Sequence, residues 1–231
     1  MTLKTIFFDL DDTLHDHMQP FFKSVQTVFP TFDKGTSIQT VYKKFREVSD
    51  ELWPIYCQGE IDIQDMRTER ITRTLRNFQF PISLKKAEQF QQTYEDALNH
   101  LTLFPEVLDV IFYLKERNYQ LGIITNGPTD HQNKKIELLG LKQFISKEFI
   151  FVSDEVGVAK PDSAIFQYAC DKTDISPEET LYIGDTWEND VVGPIEAGWQ
   201  SIWFNHRRRI RMTNHEPFSE IQRLIELRTI L

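Results

Sequence analysis

Ile6-Phe7-Phe8-Asp9-Leu10-Asp11-Asp12-Thr13-Leu14 is the stretch on which the fold of this chain turns. An apolar run that reads as a buried strand ends in three carboxylates and a hydroxyl within five positions, Asp9 to Thr13. Like charges gathered at the end of a buried strand repel one another and lose hydration, so the cluster demands a compensating cation. A divalent metal ion is the simplest candidate.

Outward from that strand the chain has two textures. Residues 1–14 and about 103–205 alternate short β-rich runs with helical stretches, the runs falling at 5–10, 120–125, 148–152, 180–184 and 201–204. Between them, Val107, Val110, Ile111 and Leu114 recur at helical spacing over residues 106–117. A helix over 130–139 ends at Gly140, and Asp162 caps one running to about Lys172. Ser176-Pro177-Glu178-Glu179 reads as a capping box, and a last helix over 190–197 stops at Gly198. Strand and helix in alternation predict an α/β fold, a parallel sheet covered on both faces.

Residues 16–101 hold almost no β-like run. Apolar residues there recur at helical spacing: Val25, Val28 and Phe29; Val41, Phe45, Val48 and Leu52; Ile71, Leu75 and Phe78; Phe90, Tyr94, Ala97 and Leu98. Pro30, Gly35, Pro54, Gly59 and Pro81 punctuate them, which predicts about four helices inserted after the first strand. An insert at that point overhangs the strand ends, where open α/β sheets bind ligands. Trp53, Tyr56, Gln58, Gly59 and Glu60 are expected in a loop between two of these helices; His15 and His17 follow the carboxylates closely, and His15 is expected at the hinge surface, with a ligand contact left open.

Composition narrows the class. The 231 residues suit one large domain or two smaller ones, and 40% hydrophobic content with 18 Phe is ample for a core. A net charge of −9 argues against a nucleic-acid polymer or a membrane surface as partner. No run approaches membrane-span length, no leader pattern is visible, and Cys57 and Cys170 make neither a disulfide framework nor a metal pair. A reducing cytoplasm is the expected setting. The basic run His206-Arg207-Arg208-Arg209-Ile210-Arg211 is expected to be a solvated loop after the last strand, and a place at the mouth of a ligand site, attracting an anion, stays open for Arg207 to Arg211.

Four stretches follow predicted strands: Asp9-Leu10-Asp11-Asp12-Thr13, Thr125-Asn126-Gly127, Val158-Ala159-Lys160-Pro161-Asp162 and Gly184-Asp185-Thr186-Trp187-Glu188-Asn189-Asp190. Singly they fit turns and helix caps. Together, in this order and context, they resemble the haloacid dehalogenase superfamily of phosphohydrolases, in the branch with a helical cap inserted after the first strand. The resemblance covers nearly the whole chain and implies a Rossmann-like core, residues 1–15 and 102–231, with a cap domain at 16–101.

The resemblance also implies a Mg²⁺-dependent phosphatase acting on a small phosphorylated metabolite through an aspartyl phosphate. Asp9 is then the nucleophile, and an ionised carboxylate needs no base of its own. Asp11 protonates the leaving oxygen and later activates water, a role helped by negative neighbours that raise its pKa. Mg²⁺ is held by the Asp9 carboxylate, the Asp11 carbonyl and Asp185, the all-oxygen chemistry this ion prefers. Thr125 and Asn126 bind the phosphoryl group, Lys160 pairs with it, and Asp190 with Asn189 stands behind, orienting Lys160 or a metal-bound water. Asp12 and Thr13 shape the turn.

The run from Thr125 to Thr186 is most similar to nucleotidase-like members, which implies a pyrimidine 5'-nucleotidase. Phosphosugars, phosphoglycolate and phosphoserine remain open as substrates, as do monomer and homodimer. A phosphomutase shares every core residue. A haloacid dehalogenase lacks the second acid that Asp11 provides here, and the intact set Asp9, Asp11, Thr125, Lys160 and Asp185 weighs against a non-catalytic binding module.

Overall fold

Strands β1 (Thr5–Phe8), β2 (Gln120–Thr125), β3 (Ile150–Val152), β4 (Thr180–Gly184), β5 (Gln200–Phe204) and β6 (Ser219–Ile221) run parallel in one sheet, ordered β3-β2-β1-β4-β5-β6. The structure is a computed structural model that describes residues 3–32 and 35–231. The chain divides into two compact units, residues 1–16 with 102–231, and residues 17–101. The parallel α/β architecture is the one expected. The sixth strand, Ser-Glu-Ile, was not anticipated, because three residues ending a polar stretch carry no strand signal.

β1 lies inside the sheet, between β2 and β4. All four of its residues are buried, and its register pairs Phe7 with Gly122 on β2 and with Tyr182 on β4. The Phe7 ring occupies the space of the absent side chain at Gly122, where a Cβ would lie 2.2 Å from the ring. Phe7, Ile124 and Tyr182 pack with Ile165, Phe166 and Ala169 of helix Ser163–Thr173 on one face of the sheet. On the other face Ile6, Phe8, Leu121, Ile123, Leu181 and Ile183 are at most 2% exposed. Fully burying such a side chain contributes about 1.5–3 kcal/mol. These rows therefore carry the several-kcal/mol cost of holding charged groups at their ends.

Strand order reverses at β1, with β2 on one side and β4 on the other. Ligands of open parallel sheets bind beyond the carboxyl ends at such a reversal. Asp9 sits there, one residue past β1, its N–H still donating to the Ile183 carbonyl at 2.9 Å. The strand is thus shorter than the expected 5–10. The chain then folds into a tight loop: Asp12 adopts φ 61°, a left-handed conformation that Asp tolerates better than most residues.

Other elements differ from expectation at their ends. Ser176 to Glu179 forms only a 3₁₀ turn, Pro177–Glu179, with no side-chain cap. The helix expected at 190–197 begins earlier as a π-turn, Trp187–Val192, and continues as Gly193–Glu196 before Gly198 at φ 83°. A Cβ on Gly184 would lie 2.4 Å from the Asp190 carboxyl carbon, so only glycine lets that carboxylate fold back against β4.

In the helical unit α1 (Gln19–Val28), α2 (Ile38–Cys57), α3 (Ile63–Asn77) and α4 (Leu84–Leu98) surround Phe21, Val25, Phe45, Ile71, Leu75 and Phe90. Ser37, Asp62 and Ser83 cap the last three through side-chain oxygens. Pro54 does not break α2, contrary to expectation, because it lies in the last turn and costs a single backbone bond. Trp53 and Tyr56 therefore belong to the helix and not to a loop: Tyr56 packs on Val48, Leu52 and Met66, whereas Trp53 is 54% exposed. Gln58 is the C-cap and Gly59 follows at φ 75°. Cys170 is a buried free thiol, while the Cys57 side chain lies outside the described residues. Among the described residues, no helix is long and apolar enough to cross a membrane.

Candidate active site

The ends of β1, β2 and β4 bring together groups far apart in sequence. Lys160 Nζ lies 2.7 Å from Asp9 Oδ1, 2.7 Å from Asp190 Oδ1 and 2.6 Å from the Tyr182 hydroxyl, with its side chain 2% exposed. The Tyr182 hydroxyl in turn donates a hydrogen bond to the Ile124 carbonyl at 2.6 Å, so this buried phenol is satisfied as acceptor and as donor. Asp190 also accepts from the Thr186 N–H at 2.8 Å, which closes the π-turn under β4. Asn126 clamps the Lys160 backbone with both ends of its amide, at 2.9 and 3.0 Å, and so helps to place the ammonium. Asn189 is half-buried on the π-turn and forms no side-chain hydrogen bond with the described residues.

Asp9, Asp185 and Asp190 each offer an oxygen within 4.8 Å of the others. Burial pushes Asp9 up to about 7, opposed by Lys160 and reinforced by Asp190 and Asp11. Burial likewise pushes Asp185 up to about 8, with Asp190 and Asp9 adding to it and Arg209 opposing. For Lys160 burial acts against the charge, yet Asp190 and Asp9 outweigh it and hold the ammonium well above its usual range. Asp9 and Asp190 share the Lys160 ammonium and Asp185 stands beside them with Arg209 at 2.8 Å, so three carboxylates against two cations keep a negative excess that a divalent cation relieves. The oxygen-only donors suit Mg²⁺.

Asp11 has a different environment from the one expected. Instead of negative neighbours alone, its two oxygens each lie 2.7 Å from Lys135 Nζ, and Gln132 Nε2 donates to Oδ2 at 3.1 Å. His15, expected at the surface, is 1% exposed with Nε2 at 2.8 Å from Asp11 Oδ1. Gln132 Nε2 also donates to the Thr125 hydroxyl at 2.5 Å, which leaves the threonine its own proton to donate elsewhere.

The basic run is also corrected. It follows β5 rather than the last strand, and two of its arginines are engaged with the acids. Arg207 Nη2 lies 2.7 Å from Asp12 Oδ1, and Arg209 Nη1 lies 2.8 Å from Asp185 Oδ2. Asn205 holds Arg209 in place by accepting from its N–H at 2.7 Å and donating to its carbonyl at 3.0 Å. Trp187 packs on Trp203 beside Asp185, ring centroids 4.8 Å apart.

Three participants escaped the sequence reading, Gln132, Lys135 and Tyr182, and Arg207 and Arg209 figured there only as members of the basic run. Tyr182 did carry a signal, since a hydroxyl in a strand buried on both faces needs a partner. Gln132 and Lys135 stand three apart on one helical face, but nothing local shows what that face meets.

A sequence model of the haloacid dehalogenase-like hydrolases matches residues 3–198. The chain is 30% identical over 207 residues to a glyceraldehyde 3-phosphate phosphatase of Methanothermobacter thermautotrophicus, covering 88% of this chain and 86% of the relative. It is 27% identical over 229 residues to the pyrimidine 5'-nucleotidase YjjG of Escherichia coli, covering 98% and 96%. Among solved structures, the HAD-hydrolase YfnB of Bacillus subtilis bound to magnesium superposes with a TM-score of 0.71 at 26% identity, over 100% of this chain and 99% of that one.

Proposed function

From its membership of the haloacid dehalogenase-like hydrolases, to which this chain belongs, we propose a Mg²⁺-dependent phosphomonoesterase that works through an aspartyl phosphate. The observation that carries the reading is Asp9, buried at the strand-order reversal, 2.7 Å from Lys160 and ringed by further acids. One Asp9 oxygen attacks the phosphorus of the bound ester. The leaving oxygen takes a proton from Asp11 and departs as an alcohol. Water then attacks the phosphoaspartate, giving a proton to Asp11 and releasing phosphate and the free Asp9 carboxylate.

Lys160 and the Thr125 hydroxyl supply positive charge and a hydrogen bond to the phosphoryl oxygens, whose charge spreads outward in transfer. Tyr182, Asp190 and Asn126 fix the ammonium so that no reorganisation accompanies the reaction. Mg²⁺ would be held by the Asp9 carboxylate, the Asp11 carbonyl and Asp185. When bound it supplies charge neutralisation at the phosphoryl group.

The substrate is a small phosphomonoester, and relatives act on a triose phosphate and on pyrimidine nucleotides. Similarity over the run from Thr125 to Thr186, together with the pyrimidine 5'-nucleotidase among the relatives, favours a nucleoside 5'-monophosphate. The test is phosphate release with Mg²⁺ from UMP, dUMP, glyceraldehyde 3-phosphate and hexose phosphates. A preference for UMP or dUMP supports the nucleotidase reading, and preference for a sugar phosphate overturns that narrower reading. Chelation should stop turnover and Mg²⁺ restore it. Full activity in a chelated, metal-free preparation defeats the metal-dependent mechanism.

Arg209 adds an expectation about the metal. Its guanidinium occupies one Asp185 oxygen, and at 41% exposure it is free to withdraw. Replacing it by an uncharged residue removes a competing cation. Arg209→Gln should tighten Mg²⁺ binding by about threefold to tenfold, the modest value reflecting solvent screening. Calorimetric titration of the chelated protein measures this directly, and unchanged or weaker binding contradicts it.

A further inference from the structure

Asp11 is held from three directions at once. Lys135 Nζ lies 2.7 Å from both of its oxygens, Gln132 Nε2 donates to Oδ2 at 3.1 Å, and His15 Nε2 lies 2.8 Å from Oδ1. Gln132 and His15 are 2% and 1% exposed, and the Lys135 side chain 15%. A carboxylate on an irregular loop ordinarily rotates about its side-chain bonds, and three donors from two segments remove that freedom.

The helix Thr129–Leu138 brings two of these groups because it starts four residues after Thr125, at the end of β2. Pro128 opens the helix, and Gln132 and Lys135 fall on the same face, one turn apart. Gln132 also binds the Thr125 hydroxyl at 2.5 Å, so one amide ties the proposed proton-transfer carboxyl to the proposed phosphoryl-binding hydroxyl. The distance between these two groups is then set by a buried side chain and not by loop conformation.

We propose that Lys135, with Gln132, is a positioning residue for Asp11, aiming its carboxyl at the leaving oxygen and at the water that opens the phosphoaspartate. This deepens the phosphatase reading and rests on it. Neither side chain need touch substrate. Misplacing a reacting group by about 1 Å costs on the order of 10²-fold in rate, and that is the expected size of the effect.

The experiment compares wild type with Lys135→Met on p-nitrophenyl phosphate and on an alkyl phosphate ester. An aryl leaving group departs without help from an acid, whereas hydrolysis of the phosphoaspartate still needs Asp11. With the aryl ester the variant should therefore release a burst of p-nitrophenol, one equivalent per enzyme, at a rate close to that of wild type. Steady-state kcat should then fall by about 10²-fold and KM should fall with it, so that kcat/KM stays within about threefold of wild type. With the alkyl ester the burst disappears and kcat falls as far or further. Gln132→Leu should show the same pattern in smaller measure.

The burst itself reports a folded enzyme with a working nucleophile. A variant with unchanged kcat overturns the inference. So does a rise in KM at constant kcat, which makes Lys135 a substrate contact, or an equal loss of burst and steady-state rates, which makes it merely structural. If wild type releases nothing that depends on Asp9, the phosphatase reading falls first, and the positioning role with it.

Discussion

Asp9→Asn should lower kcat by at least about 10⁴-fold, because the amide cannot form the acyl phosphate and residual binding groups alone catalyse poorly. The same substitution has a second expected effect of opposite character. Burial lifts Asp9 from 3.8 to about 7, so at intermediate pH the folded chain keeps a proton that the unfolded chain releases. The stabilisation from this difference is complete below the unfolded value of 3.8 and is lost as pH rises through about 7. Asp185 extends the loss to about 8. Chelated wild type should therefore weaken steadily from pH 4 to pH 8, about where these groups titrate.

Asn at position 9 removes one of the strained charges. At pH 8, chelated Asp9→Asn should be more stable than chelated wild type by on the order of 2–4 kcal/mol, with each kcal/mol raising Tm by about 2–4 °C. Saturating Mg²⁺ should shrink the gap, since the ion neutralises the same carboxylates. Wild-type phosphatase activity in the variant removes Asp9 as nucleophile. A lower Tm than wild type at pH 8 shows that the carboxylate is not under electrostatic strain.

Lys160→Met should be the most damaging single change to the fold. The ammonium is buried between Asp9 and Asp190, and its loss leaves both carboxylates without their common partner. Breaking a buried ion pair by deleting one member costs about 3–5 kcal/mol. The Tyr182 hydroxyl loses a donor as well. Urea unfolding should show a lower midpoint with little change in slope, and phosphatase turnover should fall below detection. Adding Asp190→Asn to Lys160→Met should recover part of the stability without the activity, because it removes one unpaired charge while the phosphoryl group still lacks its cation. An unfolding free energy within about 1 kcal/mol of wild type, the size of an exposed pair, places Lys160 outside the electrostatic core.

Much of this arrangement was legible in the chain because it rests on local patterns. The α/β alternation, the strand-end stretches and the apolar spacing of the helical segment each lie within a few residues, and the structure reproduces the strands and helices they predict. Failures occurred where a local signal is ambiguous. Pro54 read as a break, yet a proline in the last turn of a helix is cheap. Ser176-Pro177-Glu178-Glu179 has the residues of a capping box, yet β4 begins one residue later and leaves room for a 3₁₀ turn only. The basic run looked solvated because charge runs usually are, and the acids that Arg207 and Arg209 meet, Asp12 and Asp185, lie far from it in sequence.

The sequence by itself determined that carboxylates cluster at the end of a buried strand and that a cation must answer them, since repulsion and desolvation depend only on those residues being adjacent and buried. It named Lys160 through the family resemblance, since the lysine lies several residues beyond its strand. Only the tertiary structure decided how the charges are shared. Strand order puts β2 and β4 beside β1, which joins Lys160 to Asp9 and Asp190, sets Lys135 on Asp11 and lays Arg209 against Asp185. These pairs join residues 24 to 151 positions apart. Charge–charge energy depends on distance in space, and that distance is fixed by sheet order and helix face, neither of which is written in any one stretch of the chain.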